Sequence, residues 1–284
     1  MTVPKEVVTI EPDSGISASE ARRVRQELEK NAATVLLASY CTHLSTDRMG
    51  AFSDPGGLNY SDPRDVLGRY WLSVAAGSAL CPVLHYLEVA LRNSVYNAVA
   101  TEHVGCVGEH VNECWLDLPT ATTILRNQSP INDYARVQNA KAEIIQNGHS
   151  VSAGRLIAEL QFGFWSGLFS THYGNAPGGR QRLWPRLLPL AFPHMPHNDR
   201  TRENVADRLQ HIRKLRNRVF HHEPLWQRKL GKDMALILET IGWIDPVIQA
   251  SALEGGKAFE ISNSGVGWYR RLAAEFAIRQ FPTA

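Results

Sequence analysis

The sequence predicts an all-α protein, and three observations indicate this fold class. Apolar residues recur three and four positions apart in several segments, which is the spacing of one buried helix face. No segment shows the alternation of apolar and polar residues between hairpin turns that is typical of strands. Clusters of proline and glycine separate the helical segments. With 284 residues, 44% of them apolar, the chain is long enough for one main body, and we expect a single α-helical domain over residues 17–284.

The N-terminal third is predicted to contain two helices. Residues 1–16 look like a flexible leader. Ser17 to Glu20 has capping-box spacing, and a helix is predicted from Ala21 to about Leu37. A turn-rich stretch over residues 54–63 separates it from a long apolar helix, which Pro82 is expected to start or kink. The apolar stripe of that second helix consists of Leu80, Leu84, Leu87, Leu91 and Val95.

Residues 102–120 are interpreted as a connection between helices. A polar helix is predicted over about 130–148, with Asn147-Gly148 as its C-cap. Another helix begins near Gly154 and ends at the glycine-rich residues 174–179. The prolines of residues 183–193 allow only short helical turns.

The C-terminal third is predicted to contain three further helices. The first is basic and amphipathic and ends near Glu223, because Pro224 stops it. An apolar helix over Ala235–Ile248 and an amphipathic one over Gly265–Phe281 follow. The apolar face of the basic helix consists of Val205, Leu209, Ile212, Leu215 and Val219.

Composition and motifs exclude several classes of protein. No apolar run approaches the roughly 20 residues of a membrane span, and the first residues lack the apolar stretch of a signal peptide. The four cysteines show no CxxC spacing. We therefore expect a cytoplasmic protein without a membrane partner. A Gly-rich phosphate loop and a serine nucleophile motif are also absent from the sequence.

Positive charge is concentrated in one segment. The net charge is only +2, but residues 199–233 contain ten Lys/Arg and five Asp/Glu, so this segment carries +5 and the remainder −3. Such a patch is expected of a phosphate-binding surface, although a solvated helix face would have the same composition.

The basic helix ends in the sequence Leu215-Arg-Asn-Arg-Val-Phe-His-His-Glu-Pro224. Arg216 supplies a fixed positive charge for a phosphate, and His221 exchanges protons near neutral pH, which are the two groups that metal-free RNA cleavage needs. Residues five apart do not share a helix face, whereas Asn217 and His221, four apart, do. One copy therefore makes an incomplete site, and a two-fold dimer would collect two arginines and two histidines around one phosphate.

Other interpretations of these and neighbouring residues remain open. The motif could be a polar helix terminus with solvent-facing arginines. Metal binding by His221-His222-Glu223 is disfavoured, because adjacent helical residues point about 100° apart and no HExxH is present. His194 and His197 are interpreted as an exposed pair. An aromatic cluster could stack bases, but its helical spacing beside leucines favours core packing; it consists of Phe162, Phe164, Trp165, Phe169 and Tyr173.

The terminal motif resembles that of the Abi-like abortive-infection proteins of the HEPN ribonuclease superfamily. Upstream, Leu87-Glu-Val-Ala-Leu-Arg-Asn93 resembles the Glu-x-x-x-Arg helix of those proteins. Glu159-Leu-Gln-Phe-Gly-Phe-Trp165 resembles another of their segments, which precedes a Leu-Trp-Pro stretch, here Leu183-Trp-Pro185. The resemblance extends over about residues 70–250.

This resemblance implies a HEPN-type helical bundle with additional N- and C-terminal helices, and a metal-independent endoribonuclease without cofactors. It implies a homodimer that acts on RNA in antiphage defence or as a toxin, with an antitoxin protein or a non-coding RNA as a further partner. Arg216 would bind phosphate, Asn217 would support it and His221 would be catalytic. His222, Glu223, Glu88 and Arg92 are candidate supporting residues.

Three basic residues of the same helix, Arg213, Lys214 and Arg218, are expected to bind RNA. Glu88 and Arg92 also fit a simple ion pair between residues four apart on one helix. Two alternatives to the nuclease are an RNA-binding module that does not cleave and a protein-binding regulator whose motif is structural.

Overall fold

The computed structural model describes residues 17–103, 114–117, 121, 124–128, 130–174, 183–255 and 265–282. The all-α prediction is confirmed. The predicted leader and most of the predicted connection at residues 102–120 lie outside the described residues. In chain order the helices are α1 (Ala18–Leu44), α2 (Thr46–Gly50), α3 (Pro63–His103), α4 (Asp133–Gln146), α5 (Ala153–Glu159), α6 (Phe162–Gly167), α7 (Leu188–Ala191), α8 (Arg202–Phe220), α9 (Leu230–Ile244), α10 (Pro246–Gly255) and α11 (Val266–Gln280).

Two short strands accompany the helices. β1 (Asn127–Gln128) pairs antiparallel with β2 (Ile131–Asn132) directly before α4. The chain divides into two compact units: one comprises the residues up to Leu72 and those from Ser264 onward, and the other comprises Ser73–Asn263. The prediction of one domain over residues 17–284 stays a prediction.

In the first unit, α1 begins at the predicted capping box. The Ser17 hydroxyl accepts from the Glu20 N–H at 3.2 Å, and the Glu20 carboxylate accepts from the Ser17 N–H at 3.4 Å. The helix continues past Leu37 to Leu44, and Leu37 and Tyr40 extend the buried face that α1 packs into a cluster shared with α11. That face and its partners in the core of the unit are Ala32, Ala33, Leu36, Leu67, Ala273 and Ala277.

The start of α3 is fixed to α11 by a charged cluster. Asp62 accepts from Arg64 at 2.6 Å and from Arg270 at 3.2 Å. Burial raises the pKa of Asp62, but hydrogen bonds from Arg64 and the charges of both arginines outweigh burial and lower that pKa from 3.8 to about 2. The helices approach closely here, since a Cβ on Gly68 would lie 2.7 Å from the backbone of Arg270.

Helix α3 is longer than the sequence indicates. It begins at Pro63 and passes through Pro82, so Pro82 does not start it. By length and composition α3 could also cross a membrane, although 39% of its apolar stretch is buried within this chain and core helices of soluble proteins have the same composition.

The core of the second unit is built around large aromatic side chains. The five predicted core aromatics are at most 2% exposed, which confirms their assignment to packing. Phe169 stacks on Trp184 with ring centroids 4.2 Å apart. The indole N–H of Trp184 donates to the carbonyl of Leu168 at 2.6 Å, so that burying this side chain leaves its polar group satisfied.

The helix predicted from Gly154 is interrupted. Leu160 and Gln161 are extended and separate α5 from α6. The indole of Trp165 donates to the Leu160 carbonyl at 3.0 Å, which replaces a helical bond with a tertiary one. The predicted C-cap of α4 is confirmed, with Gly148 at a φ of 76°. As predicted, residues 183–193 contain only the four-residue α7.

The C-terminal helices of the second unit differ from the prediction in their boundaries. Helix α8 buries its predicted apolar face. The predicted apolar helix over Ala235–Ile248 begins earlier, at Leu230, and is broken after Ile244. Pro246 disfavours a helical Asp245, and the Asp245 carboxylate instead caps α10 by accepting from the Val247 N–H at 2.6 Å.

Candidate functional site

The motif residues Asn217 and His221 lie at the C-terminal end of α8. The helix ends at Phe220, and His221 is its capping residue, with its N–H donating to the Asn217 carbonyl at 2.8 Å. Both side chains are exposed, and Phe220 between them is 45% exposed although it is apolar. The end of the helix therefore presents an accessible imidazole beside an exposed aromatic ring.

Two residues beyond the cap complete the helix end. His222 has a φ of 56°, and its N–H donates to the Val219 carbonyl at 3.2 Å. The Glu223 N–H donates to the Arg218 carbonyl at 2.8 Å. This pair of bonds is a Schellman motif, in which glycine is the usual residue at the left-handed position. The chain carries a histidine there, and an L-residue in this conformation costs roughly 1–2 kcal/mol.

Arg216 is held by two other elements of the unit. Its Nε donates to Glu88 of α3 at 3.0 Å, and both side chains are mostly buried, at 27% and 20% exposed. The guanidinium carbon lies 4.6 Å from the ring centroid of Phe220 and 5.9 Å from that of Phe162. Two residues that the resemblance singles out, 128 positions apart, are thus brought together.

The other member of the predicted Glu88–Arg92 pair lies one turn further along α3. Glu88 pairs with Arg216 rather than with Arg92, so the structure does not bear out an ion pair within α3. The Nη1 of Arg92 lies 3.5 Å from the Ala158 carbonyl, and its buried Nε has no hydrogen-bond partner among the described residues. Arg92 therefore packs against the end of α5.

The remaining predicted residues lie on the surface of α8 and its cap. Arg218 contacts Glu223 at 3.7 Å, but these side chains are 43% and 51% exposed, so this ion pair contributes little. Arg213 and Lys214 are exposed. The structure therefore leaves Arg213 and Lys214 accessible to a ligand while it fixes Arg216.

A second charged cluster on α8 was missed by sequence reasoning. Asp233 of α9 is 4% exposed and accepts from the Arg228 Nε at 2.7 Å. The Nε2 of His211 lies 2.8 Å from the same carboxylate. Burial raises the pKa of Asp233, but the hydrogen bonds from Arg228 and His211 outweigh burial and lower that pKa below its usual range.

A sequence signal for this cluster exists. Asp233 falls on the buried stripe of α9, between Leu230 and Met234 and one turn before Ile237. A carboxylate at such a position requires a buried cationic partner. Arg228 is a nearby candidate for that partner, five positions before Asp233, whereas the contact with His211 depends on the packing of α8 and is not visible in the sequence.

Potential metal ligands do not cluster in the described part of the chain: no group of three or more His, Cys, Asp or Glu side chains there could hold a metal ion. His194 and His197 are exposed, as predicted.

Comparisons with protein-family models, with curated proteins and with solved structures find no match to this chain. The likeness to Abi-like proteins therefore rests on the motif residues, and the roles it implies stay predictions.

Proposed function

We propose that this chain is a metal-independent endoribonuclease of the HEPN type, acting in antiphage defence or as a toxin. The proposal is carried by one observation: Arg216 is fixed by Glu88 and Phe220, while Asn217 and His221 next to it are accessible. Such a site combines an oriented cation with an accessible imidazole, which are the two kinds of group that cleavage of RNA through its own 2′-hydroxyl uses.

The proposed reaction is an intramolecular transesterification. The 2′-oxygen of the ribose bonds to the adjacent phosphorus, and the bond from phosphorus to the 5′-oxygen of the next nucleotide breaks. The 2′-proton passes to a neutral imidazole, and a protonated imidazole gives a proton to the departing 5′-oxygen. The products are a 2′,3′-cyclic phosphate and a 5′-hydroxyl. Arg216 stabilises the charge on the phosphoryl oxygens.

The two proton transfers require two imidazoles, which a homodimer would supply. His221 and the partner subunit's His221 would serve as base and acid across a two-fold axis. The exposed ring of Phe220 at the same helix end supplies apolar area for such an interface. We therefore propose a composite active site between two copies of α8.

The test uses RNA and its 2′-deoxy analogue in the presence of EDTA. We expect cleavage of the ribose substrate alone and a cyclic phosphate at the new 3′ end. His221→Ala should abolish cleavage while binding is mostly kept, and Arg216→Ala should weaken both. His197→Ala, which removes another exposed histidine, is the matched control and should cleave like the unmodified chain. Unchanged cleavage by His221→Ala would overturn the assignment.

A second candidate function is an RNA-binding module that does not cleave. The observation that favours it is the Glu88–Arg216 ion pair, which lowers the net charge available to stabilise a transition state. The same assay separates the two functions, because tight binding without products would support the module.

A further inference from the structure

The second unit contains a cleft of about 900 Å³ that is not lined by residues of the motif 215–224. It lies between the start of α4, the helix α6 and the first three turns of α8, and we call it the α4–α6–α8 cleft. Its volume lies within the range of ligand-binding pockets and exceeds what one phosphate group needs.

Arginines dominate the charge of this cleft. Arg126, Arg136, Arg202 and Arg213 line it, against two carboxylates, Asp133 and Asp207. Guanidinium groups match the oxygens of phosphates and carboxylates in a forked, two-bond geometry, so a cleft of this composition favours an anionic ligand such as a phosphate ester.

These arginines are only partly neutralised by the residues around them. Asp133 is buried and lies 3.4 Å from Arg126 and 3.5 Å from Arg136, while it also accepts from the Tyr173 hydroxyl at 2.7 Å. Two cations thus share one carboxylate that already has a neutral donor. Arg202 lies 2.5 Å from the exposed Glu203, which is not among the lining residues.

Polar groups in the lining lack partners. The Nε of Arg126 and the hydroxyl oxygens of Ser166 and Ser170 are buried and form no hydrogen bond among the described residues. A buried polar group without a partner destabilises a protein and calls for a missing ligand or water. Ser166 and Ser170 both line the cleft, so their hydroxyls are candidate donors to a ligand there.

The α8 face that lines the cleft points along the helix toward the motif, although the lining itself ends at Arg213. The lining residues Arg202, Gln210 and Arg213 occupy one helix face, which continues at four-residue steps to Asn217 and His221. Arg213 and His221 are separated by eight residues, or roughly 12 Å of helix. The amide of Gln210, like that of Asn139, adds hydrogen-bonding groups of the kind that read base edges.

From these observations we propose that the α4–α6–α8 cleft binds a nucleotide through its phosphate. The shared chemistry is a phosphate ester on a ribonucleoside, and its source is either a nucleotide of an RNA strand that runs along α8 or a free mononucleotide. Binding of an RNA strand along α8 rests on the proposed function, whereas binding of a free mononucleotide in the cleft does not.

The decisive variant fills the cleft. Gly167 lines it, and a Cβ built on this glycine meets nothing within 4 Å, so Gly167→Leu places a side chain in the open space. Gly154→Leu is the matched control, because Gly154 is a helical glycine with equally open surroundings outside the cleft lining. Thermal unfolding of both variants checks that each one folds.

The probes are a labelled single-stranded 2′-O-methyl RNA, which cannot undergo the proposed cleavage, and adenosine and guanosine monophosphates. We expect Gly167→Leu to weaken binding of the RNA at least about tenfold and Gly154→Leu to change it less than about twofold. Arg136→Gln, which removes a half-exposed cleft arginine while Arg126 still pairs with Asp133, should reduce the slope of log affinity against log salt by about 0.7 for each lost phosphate contact. If Gly167→Leu does not fold, the salt slope of Arg136→Gln alone tests whether the cleft binds phosphate.

The outcomes separate the sources and the proposals. If a mononucleotide competes with the labelled RNA, and this competition is lost in Gly167→Leu, the ligand is a free nucleotide. If mononucleotides do not displace the RNA, the ligand is the RNA strand. The proposal that the cleft binds a nucleotide is overturned if Gly167→Leu binds every probe as tightly as the unmodified chain does. It is also overturned if the salt slope is unchanged in Arg136→Gln. A chain that binds through the cleft but cuts no ribose RNA overturns the nuclease and leaves the cleft standing.

Discussion

The Glu88–Arg216 ion pair makes the sharpest prediction of the structure. Glu88→Gln keeps the shape of the side chain and one acceptor oxygen but removes its charge. At 3.0 Å and an effective dielectric constant of about 20, two unit charges attract by about 5.5 kcal/mol. Desolvation of both groups offsets most of this attraction. Surface ion pairs have coupling energies of about 0.2–1 kcal/mol, and buried pairs have larger ones. Because Glu88 and Arg216 are exposed to an intermediate degree, we expect a coupling energy of about 1–2 kcal/mol.

The assay is a double-mutant cycle in urea, with Glu88→Gln, Arg216→Met and the double variant, because methionine keeps most of the arginine stem. A control cycle uses Arg208 and Glu239, which lie 2.6 Å apart but whose carboxylate is 56% exposed, so its coupling should stay below about 1 kcal/mol. If the Glu88 and Arg216 changes add to within about 0.3 kcal/mol, the pair contributes nothing and the inference that Glu88 fixes Arg216 fails.

Three further changes test other parts of the structure. His222→Gly should raise the free energy of unfolding by about 0.5–1 kcal/mol in urea, because glycine relieves the left-handed strain at some entropic cost, while an equal gain in His222→Ala would refute this cause. Asp62→Asn should cost about 1–2 kcal/mol at pH 7, after allowance for partial exposure. Since the folded pKa of Asp62, about 2, lies below the unfolded value of 3.8, its contribution is present above pH 3.8 and lost as pH falls to 2, so the two chains should converge there in urea titrations. Phe164→Ala should cost about 3–5 kcal/mol, because this ring is fully buried, and a loss below about 1 kcal/mol in the same assay would contradict that burial.

Local chemistry in the sequence was sufficient for some parts of the fold. The capping box at Ser17 and the glycine C-cap at Gly148 were predicted because each needs only neighbouring residues. Other boundaries were missed because they involve side-chain hydrogen bonds that apolar spacing does not reveal. The break at Leu160 depends on an indole five residues away, and the apolar spacing across it indicates a continuous helix.

The candidate site was only partly visible in the sequence for the same reason. The motif itself could be recognised, but helical spacing pairs Glu88 with Arg92, and the fold pairs it with Arg216 across 128 positions. The left-handed residue was also hidden, because a glycine would have signalled it and the chain has His222 there. Asp233 gave a signal, as a carboxylate on an apolar stripe, without revealing His211 as its partner.

The contacts of Arg216 indicate why Glu88 would help a phosphate site rather than compete with phosphate for it. The bond to Glu88 uses Nε, whereas the terminal nitrogens of a guanidinium are the donors that extend furthest from the backbone. Phe220 lies against the planar group and limits its rotation. A carboxylate at Nε together with this ring therefore fixes the plane in which the guanidinium can bind phosphate. These contacts exist without any ligand, and under the proposed function a preorganised cation would stabilise a transition state without reorganisation at the moment of reaction. The strained cap at His222 also restricts His221, because the two backbone hydrogen bonds that close the helix end fix the position of the His221 backbone from which the imidazole extends.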